Sequence, residues 1–261
     1  MTLSELLWRW SVVHQMGWTS FWKEYPPRIL ALTALPRVLL QSAFFVLLVG
    51  VAGGSPAEEY ALIGVGAIAM TYFTVTTICD VTIQEAESGT FPRHRLAVVS
   101  PFAAFLCRSA PHVVGGVLTV FLVVAVVPAG TGHAELTVDL LPMLPFYILM
   151  AVTCTVAGLT VGVLSSPSDN YILASNVFSS LILVGSGAVI PAERLGWFGD
   201  ISAVLPLHNG IAAVRASLDN GNWAGPLLAE VCVGILWAGA ARAAVELQIR
   251  RARVRGADDM V

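Results

Sequence analysis

Charge is scarce in this chain. Of its 261 residues, 12% are Asp, Glu, Lys or Arg and 56% are hydrophobic, and the mean hydropathy is +0.77. A water-soluble domain carries about 25% charged residues, so a fully water-facing surface is excluded and lipid must be the main solvent. Lysine is almost missing: Lys23 stands alone among 14 basic residues, an arginine bias expected of a GC-rich bacterial genome. No glycine run precedes that lysine, whereas a phosphate-cradling P-loop needs G-x-x-x-x-G-K-[ST]. There is no H-E-x-x-H, no G-x-S-x-G and no His/Cys metal spacing, so a non-catalytic chain without metal or cofactor of its own is expected. His14, His94, His112, His133 and His208 are scattered and read as structural or surface residues. Cys79, Cys107, Cys154 and Cys232 form no C-x-x-C pair; each lies in or beside an apolar run and reads as a small buried hydrophobe. No secretory signal is expected, because the first apolar run starts near residue 31, behind an aromatic segment. Repeats and low-complexity tracts are lacking, and no nucleic-acid partner is expected.

What is present is a series of long apolar runs. A bilayer core takes about 20 apolar residues as helix, and six runs qualify: residues 32–52, 60–79, 101–127, 140–164, 171–191 and 227–245. The second, fourth and fifth carry no charge. Arg37 and Arg108 lie near one end of the first and third, where long side chains snorkel. With both termini in the cytoplasm, Arg9, Lys23, Arg28, Arg37, Arg93, Arg95, Arg108, Arg242, Arg250, Arg251, Arg253 and Arg255 gather at that side, and only Arg194 and Arg215 fall outside. The reverse orientation opposes the positive-inside rule. The expectation is an all-α integral membrane protein of the plasma membrane, with six transmembrane helices in residues 28–247 and a basic cytoplasmic tail over 248–261.

Residues 1–27 read differently. Thr2 and Glu5 have capping-box spacing. Leu3, Leu6, Leu7, Trp10, Val13, Gly17, Trp18, Phe21 and Trp22 follow a helical stripe, with Arg9, Gln15 and Lys23 largely off it. Four of the seven tryptophans fall here. Such an aromatic-rich amphipathic helix is expected to lie in the headgroup plane.

Residues 80–100 interrupt the apolar pattern with "EAESGTFPRHRLAVVSP" at 85–101. Gly89 allows a turn. Thr90 can cap a short helix with Pro92 in its first turn, and Ser100–Pro101 has the form of a cap and first residue. Between them, residues 91–99 span about 13 Å as helix and set Phe91, Leu96, Val98 and Val99 beside Arg93 and Arg95. Composition alone also fits an ordinary basic loop.

This stretch resembles the signature of the ABC-2 type permeases, membrane subunits of a class of ATP-driven transporters. Glu85, Glu87, Gly89, Thr90, Ser100 and Pro101 match it, while Pro92 stands where the family often has an acid. A second stretch, "SGAVIPAERLGWFGDISAVLPLHNGIAAVRASLDNG" at 186–221, is similar to the family's pattern before its last span. Ser186, Gly187, Pro191, Trp197, Leu205, Pro206, Leu207 and Arg215 fit, and Gly196 replaces the usual Pro. The resemblance implies that loop 80–100 is a coupling helix resting on a separate ATPase subunit, with Glu85 and Glu87 fixing the loop and Arg93 and Arg95 contacting the partner. It implies re-entrant helices over 192–218 as an outer gate. It also implies two ATPase copies holding ATP and magnesium, and a second permease subunit, identical or homologous. Independently, Trp197, Phe198, Ile201, Val204 and Leu205 are too apolar for an exposed loop, and re-entrant backbone is tolerated where protein covers it.

Three polar groups in the spans remain. Thr71 and Thr74 either bond to their own helix carbonyls or line a substrate path. Glu230, a turn inside the last span, faces the bundle or a cavity; it pairs with Arg215 or touches substrate. The function expected is export of an amphipathic or hydrophobic small molecule such as a drug, natural product or lipid. A lipid-linked polysaccharide exporter would want an aromatic-lined channel. An ion-coupled secondary carrier would want midplane charge and broken helices in matched halves, whereas Pro142 and Pro145 have no counterpart in the first half. A third alternative is a membrane anchor or immunity protein that binds a partner without transporting.

Overall fold

The computed structural model describes residues 3–87, 100–165 and 171–258, and every regular element among the described residues is helical. Five helices are long and apolar enough to cross a bilayer: span one (Pro27–Gly53), span two (Ser55–Ile83), span three (Pro101–Gly130), span four (Ala134–Ser165) and span six (Ala224–Arg251). A shorter apolar helix, Tyr171–Gly185, forms span five. The chain is thus an all-α integral membrane protein. Span five rises about 22 Å at 1.5 Å per residue, short of the bilayer's hydrocarbon core, because the chain leaves the helix at Ser186.

Two boundaries differ from the sequence expectation. Helix continues past Asp80 to Glu87, so residues 80–87 extend span two rather than open a loop. Val81 and Ile83 are buried, and no helix breaker precedes Gly89. Likewise span six runs as helix to Asp258, through most of the segment expected as a tail, because its Arg- and Ala-rich composition favours helix.

Spans two and four form the buried centre, and span six packs along span four with most of its surface exposed. Gly158 and Gly162, one turn apart, let span two approach: a Cβ at Gly158 would lie 2.6 Å from the Thr74 carbonyl oxygen. Close helix contact through small residues at this spacing is the usual device where lipid supplies no hydrophobic drive between helices. The core here includes Met70, Tyr147, Met150, Cys154, Ile182 and Ile211. All four cysteines are free thiols.

Four spans deviate from regular α-helix, span four through a 3-10 turn at Leu141–Met143. Span one begins with a π-helical turn, Leu30–Ala34, just before Pro36, which has no N–H for the carbonyl of Leu32. Span two has another at Tyr72–Thr76. Span three breaks at Ser109; Pro111 follows two residues on and withholds the N–H that would bond Cys107.

The N-terminal helix, Leu3–Glu24, docks where spans two and three have the ends adjoining residues 88–99. Phe21 is buried against Phe73 and the edge of His112. Beyond the helix, the Tyr25 hydroxyl donates to Asp80 Oδ2 at 3.1 Å. Burial and the Asp80 carboxylate push the Tyr25 phenol above its ordinary range, so it stays a donor. Trp8 and Met16 remain exposed, which leaves the helix an apolar face away from the bundle. Span six reaches the same end, where Gln248 donates to the Val163 carbonyl at 3.1 Å. This end, which carries both chain termini, is called proximal below; the other is distal.

Candidate functional site

At the distal end, residues 186–218 fold back between spans five and six. The segment contains a 3-10 turn, Ala192–Leu195, a short helix, Trp197–Ser202, and a longer one, His208–Leu218. The longer helix packs against spans two, four and six. One buried and one half-buried charge hold it there, and they do so separately.

Glu230 is fully buried on span six. Its carboxylate accepts from the backbone N–H of Gly210 at 3.0 Å and of Leu207 at 3.3 Å, and the Thr153 hydroxyl stands beside it. These are N–H groups of the first turn of helix His208–Leu218, which carries no side-chain cap of its own. The first-turn N–H groups of a helix are otherwise unsatisfied, and the helix dipole favours negative charge there. Glu230 is therefore an N-cap delivered from another helix. It also holds Leu207 in the left-handed region, with φ 76 and ψ −29, where a bulky side chain is disfavoured.

Arg215, near the other end of the same helix, does not pair with Glu230. Its Nη1 donates to the Gly187 carbonyl at 2.9 Å, and its Nη2 donates to the carbonyls of Tyr60 at 3.1 Å and Ala188 at 3.2 Å. The guanidinium lies 3.4 Å from the centroid of the Tyr60 ring, whose hydroxyl also donates to Gly187 at 3.0 Å. One planar cation thus ties the chain leaving span five to the start of span two. Arg215→Lys is expected to lower stability by about 1.5–3 kcal/mol, because an ammonium cannot reproduce a planar multidentate fork. Thermal unfolding of the purified protein would measure it, and an unchanged midpoint would refute the clamp. Gly187 and Arg215 are drawn together by this contact. Pro191 caps the 3-10 turn, Trp197 is exposed, and Leu205 and Leu207 are buried around Pro206. The indole of Trp237 on span six donates to the Val204 carbonyl at 3.0 Å.

Spans one, two and five form a niche of about 140 Å3, open at the surface where Arg37, Gln41 and Asn176 are exposed. Arg37, Gln41, Thr71, Thr76, Asn176 and Ser179 give it a polar lining. Thr71 bonds the carbonyl of Ile68 at 2.7 Å and lines the niche as well. Thr74 is fully buried elsewhere, bonded to Met70 at 3.0 Å, so both hydroxyls bond their own helix. Arg37 is not near the end of its span. It lies ten residues beyond Pro27, or about 15 Å of helix rise.

At the proximal end, Ser100 accepts from the Ala103 N–H at 3.3 Å and Pro101 opens span three. Glu85 and Glu87 fall on the last turns of the helix extending span two. Their side chains, and Gly89, Thr90, Phe91, Arg93, Arg95 and Leu96, lie outside the described residues.

Sequence reasoning did not find Tyr60, Gln41, Asn176 or the Tyr25–Asp80 bond. Tyr60 and Tyr25 sit at the edges of apolar runs, where an aromatic is unremarked. Asn176 and Gln41 are neutral amides that hydropathy averages away. The Gly158–Gly162 spacing was a signal available in the sequence.

Residues 13–218, which hold the second half of the N-terminal helix, spans one to five and the whole distal segment, match the family described as ABC-2 type transporter. No curated protein matches the chain. With six apolar helices, an N-terminal helix docked against spans two and three, and a folded segment before span six, the chain belongs to the ABC-2 type transporter family.

Proposed function

We propose that this ABC transporter permease is the transmembrane subunit of an ATP-driven exporter that moves an amphipathic or hydrophobic small molecule out of the cell. Two copies of a separate ATPase subunit bind ATP and magnesium, and a second permease subunit, identical or homologous, completes the pathway. Both termini lie in the cytoplasm. ATP binding draws the ATPases together, and the loop after span two receives the movement.

The observation that supports this reading most directly is the continuity of span two. It is helical from Ser55 to Glu87, apart from a single residue before its π-helical turn, and so joins the niche to the residues where Gly89, Arg93 and Arg95 follow. A displacement at residues 88–99 is carried along a helix rather than lost in a flexible connector. The N-terminal helix shares that movement through Tyr25 and Asp80, whose hydrogen bond spans 55 positions in sequence. The chain has no P-loop, so the energy source is another polypeptide.

The test is uncoupling. Gly89→Val, and separately Glu85→Ala with Glu87→Ala, should cut ATP-dependent export by roughly 5–150-fold, the span of a 1–3 kcal/mol coupling energy, while the ATPase keeps its basal turnover. Export and hydrolysis would be followed in proteoliposomes holding permease and ATPase together. Full transport in both variants rejects the coupling assignment. Failure of any ATPase to copurify with the permease rejects the ATP-driven reading itself.

A further inference from the structure

We propose that the niche between spans one, two and five receives the anionic head of an amphiphile, and that Arg37 is the residue that selects for negative charge. This rests on the exporter reading above and names the charge class of its cargo.

Arg37 and Tyr72 are placed at one depth by two different spans. Arg37 is ten residues from the proximal start of span one, and Tyr72 is eleven from Ile83 in span two; both distances are about 15–17 Å of rise. Both helices are longer than a hydrocarbon core of about 30 Å, so these distances set the two side chains level with each other, and a charged residue kept on an apolar span marks a function. The guanidinium stands 5.7 Å from the centroid of the Tyr72 ring. Among the described residues lining the niche there are amides and hydroxyls but no carboxylate. The buried Ser179 hydroxyl has no hydrogen-bond partner among the described residues. A cation, an unmatched hydroxyl and neutral donors, with no acid to balance them, together form the recognition chemistry of an anion.

The neighbouring groove supplies the tail site. Asn176 lines the niche and also belongs to this groove, an exposed, mainly apolar face of span five shared with Val177, Ser180, Leu181 and Val184. Across the niche, span one exposes Leu40 and Phe44. A polar pocket that opens at one residue into an apolar groove matches a molecule with one charged head and one alkyl or aromatic tail.

Binding tests this without ATP or ATPase, so its failure is separable from failure of the coupling experiment. The full chain in phosphatidylcholine nanodiscs would be titrated with radiolabelled laurate and with radiolabelled dodecyltrimethylammonium, which share a tail length and differ in charge. Laurate should bind at least about tenfold more tightly, the smaller end of what a charge-assisted contact contributes. Arg37→Gln should abolish the preference and Arg37→Lys should retain most of it; Ser179→Ala should weaken laurate alone. Nanodiscs containing phosphatidylglycerol separate the sources of the head group: displacement of laurate marks a resident acidic lipid, and unaltered laurate binding marks a soluble anionic cargo. Equal binding of the two probes to the unmodified chain, or laurate binding untouched by Arg37→Gln, overturns the proposal. So does a Val177→Cys thiol that is already shielded without laurate, which would mean a second copy fills the groove.

Discussion

Glu230→Leu should detach the distal segment from span six and abolish transport. The substitution leaves the N–H groups of Leu207 and Gly210 buried without an acceptor, at about 1–3 kcal/mol each. It also removes what holds Leu207 at φ 76, a conformation that itself costs on the order of 1–3 kcal/mol. The expected loss is thus several kcal/mol, enough to lower the thermal unfolding midpoint clearly in detergent and to leave little export in proteoliposomes. Glu230→Gln should fall between, because its amide keeps one acceptor oxygen and turns an NH2 toward an N–H. If Glu230→Leu unfolds at the wild-type temperature, the carboxylate is not the cap, and a role facing solute would have to be considered instead.

The second large effect is steric. Gly64 on span two lies directly against the chain leaving span five. A Cβ there would come within 2.3 Å of the Ala188 carbonyl oxygen, 2.5 Å of its Cα and 2.6 Å of its carbonyl carbon. All three are backbone atoms that cannot rotate away, so Gly64→Ala already forces the two segments apart, and Gly64→Val adds bulk to the same clash. Overpacking costs about 1–3 kcal/mol where side chains can adjust, and a backbone neighbour sets the expectation at or above the upper end. The displacement also pulls Gly187 and Ala188 from Arg215 and Tyr60, so stability should fall at least as far as in Arg215→Lys. Gly130→Ala is the control: no atom lies within 4 Å of the Cβ it would add. Equal stability of the Gly64 and Gly130 variants would show that the packing at Ala188 is wrong.

These two variants act on one object, the fold of residues 186–218 against spans two and six, and the sequence announced that object only in outline. Apolar residues at Ile201, Val204 and Leu205 argued against an exposed loop, although only Leu205 is buried and Ile201 and Val204 stay exposed, and Glu230 stood out as an acid inside a span. The partner of Glu230 was open, because both Arg215 and a cavity were within plausible reach. The structure settles it through backbone N–H groups, and a backbone donor leaves no mark in a sequence. Arg37 is the opposite case. It looked peripheral because the apolar run around it was judged to start at residue 32, whereas Pro27, Arg28 and Ile29 already form the helix, so the same arginine sits a full turn deeper.

The amino-acid sequence by itself determined that this chain lives in a membrane, crosses it with apolar helices, has an aromatic-rich amphipathic stretch at residues 1–27 and lacks the G-x-x-x-x-G-K-[ST] motif. Each of these follows from local composition, because burying backbone in lipid demands a continuous apolar helix and phosphate binding demands a contiguous glycine-rich loop. Only the tertiary structure decided which polar groups meet. Arg215 and Tyr60 are 155 positions apart, Glu230 and Gly210 are 20, and the walls of the niche come from three spans. Hydropathy fixes that a helix is buried but not which of its faces turns toward which neighbour, and in this protein the functional chemistry depends on that choice of face.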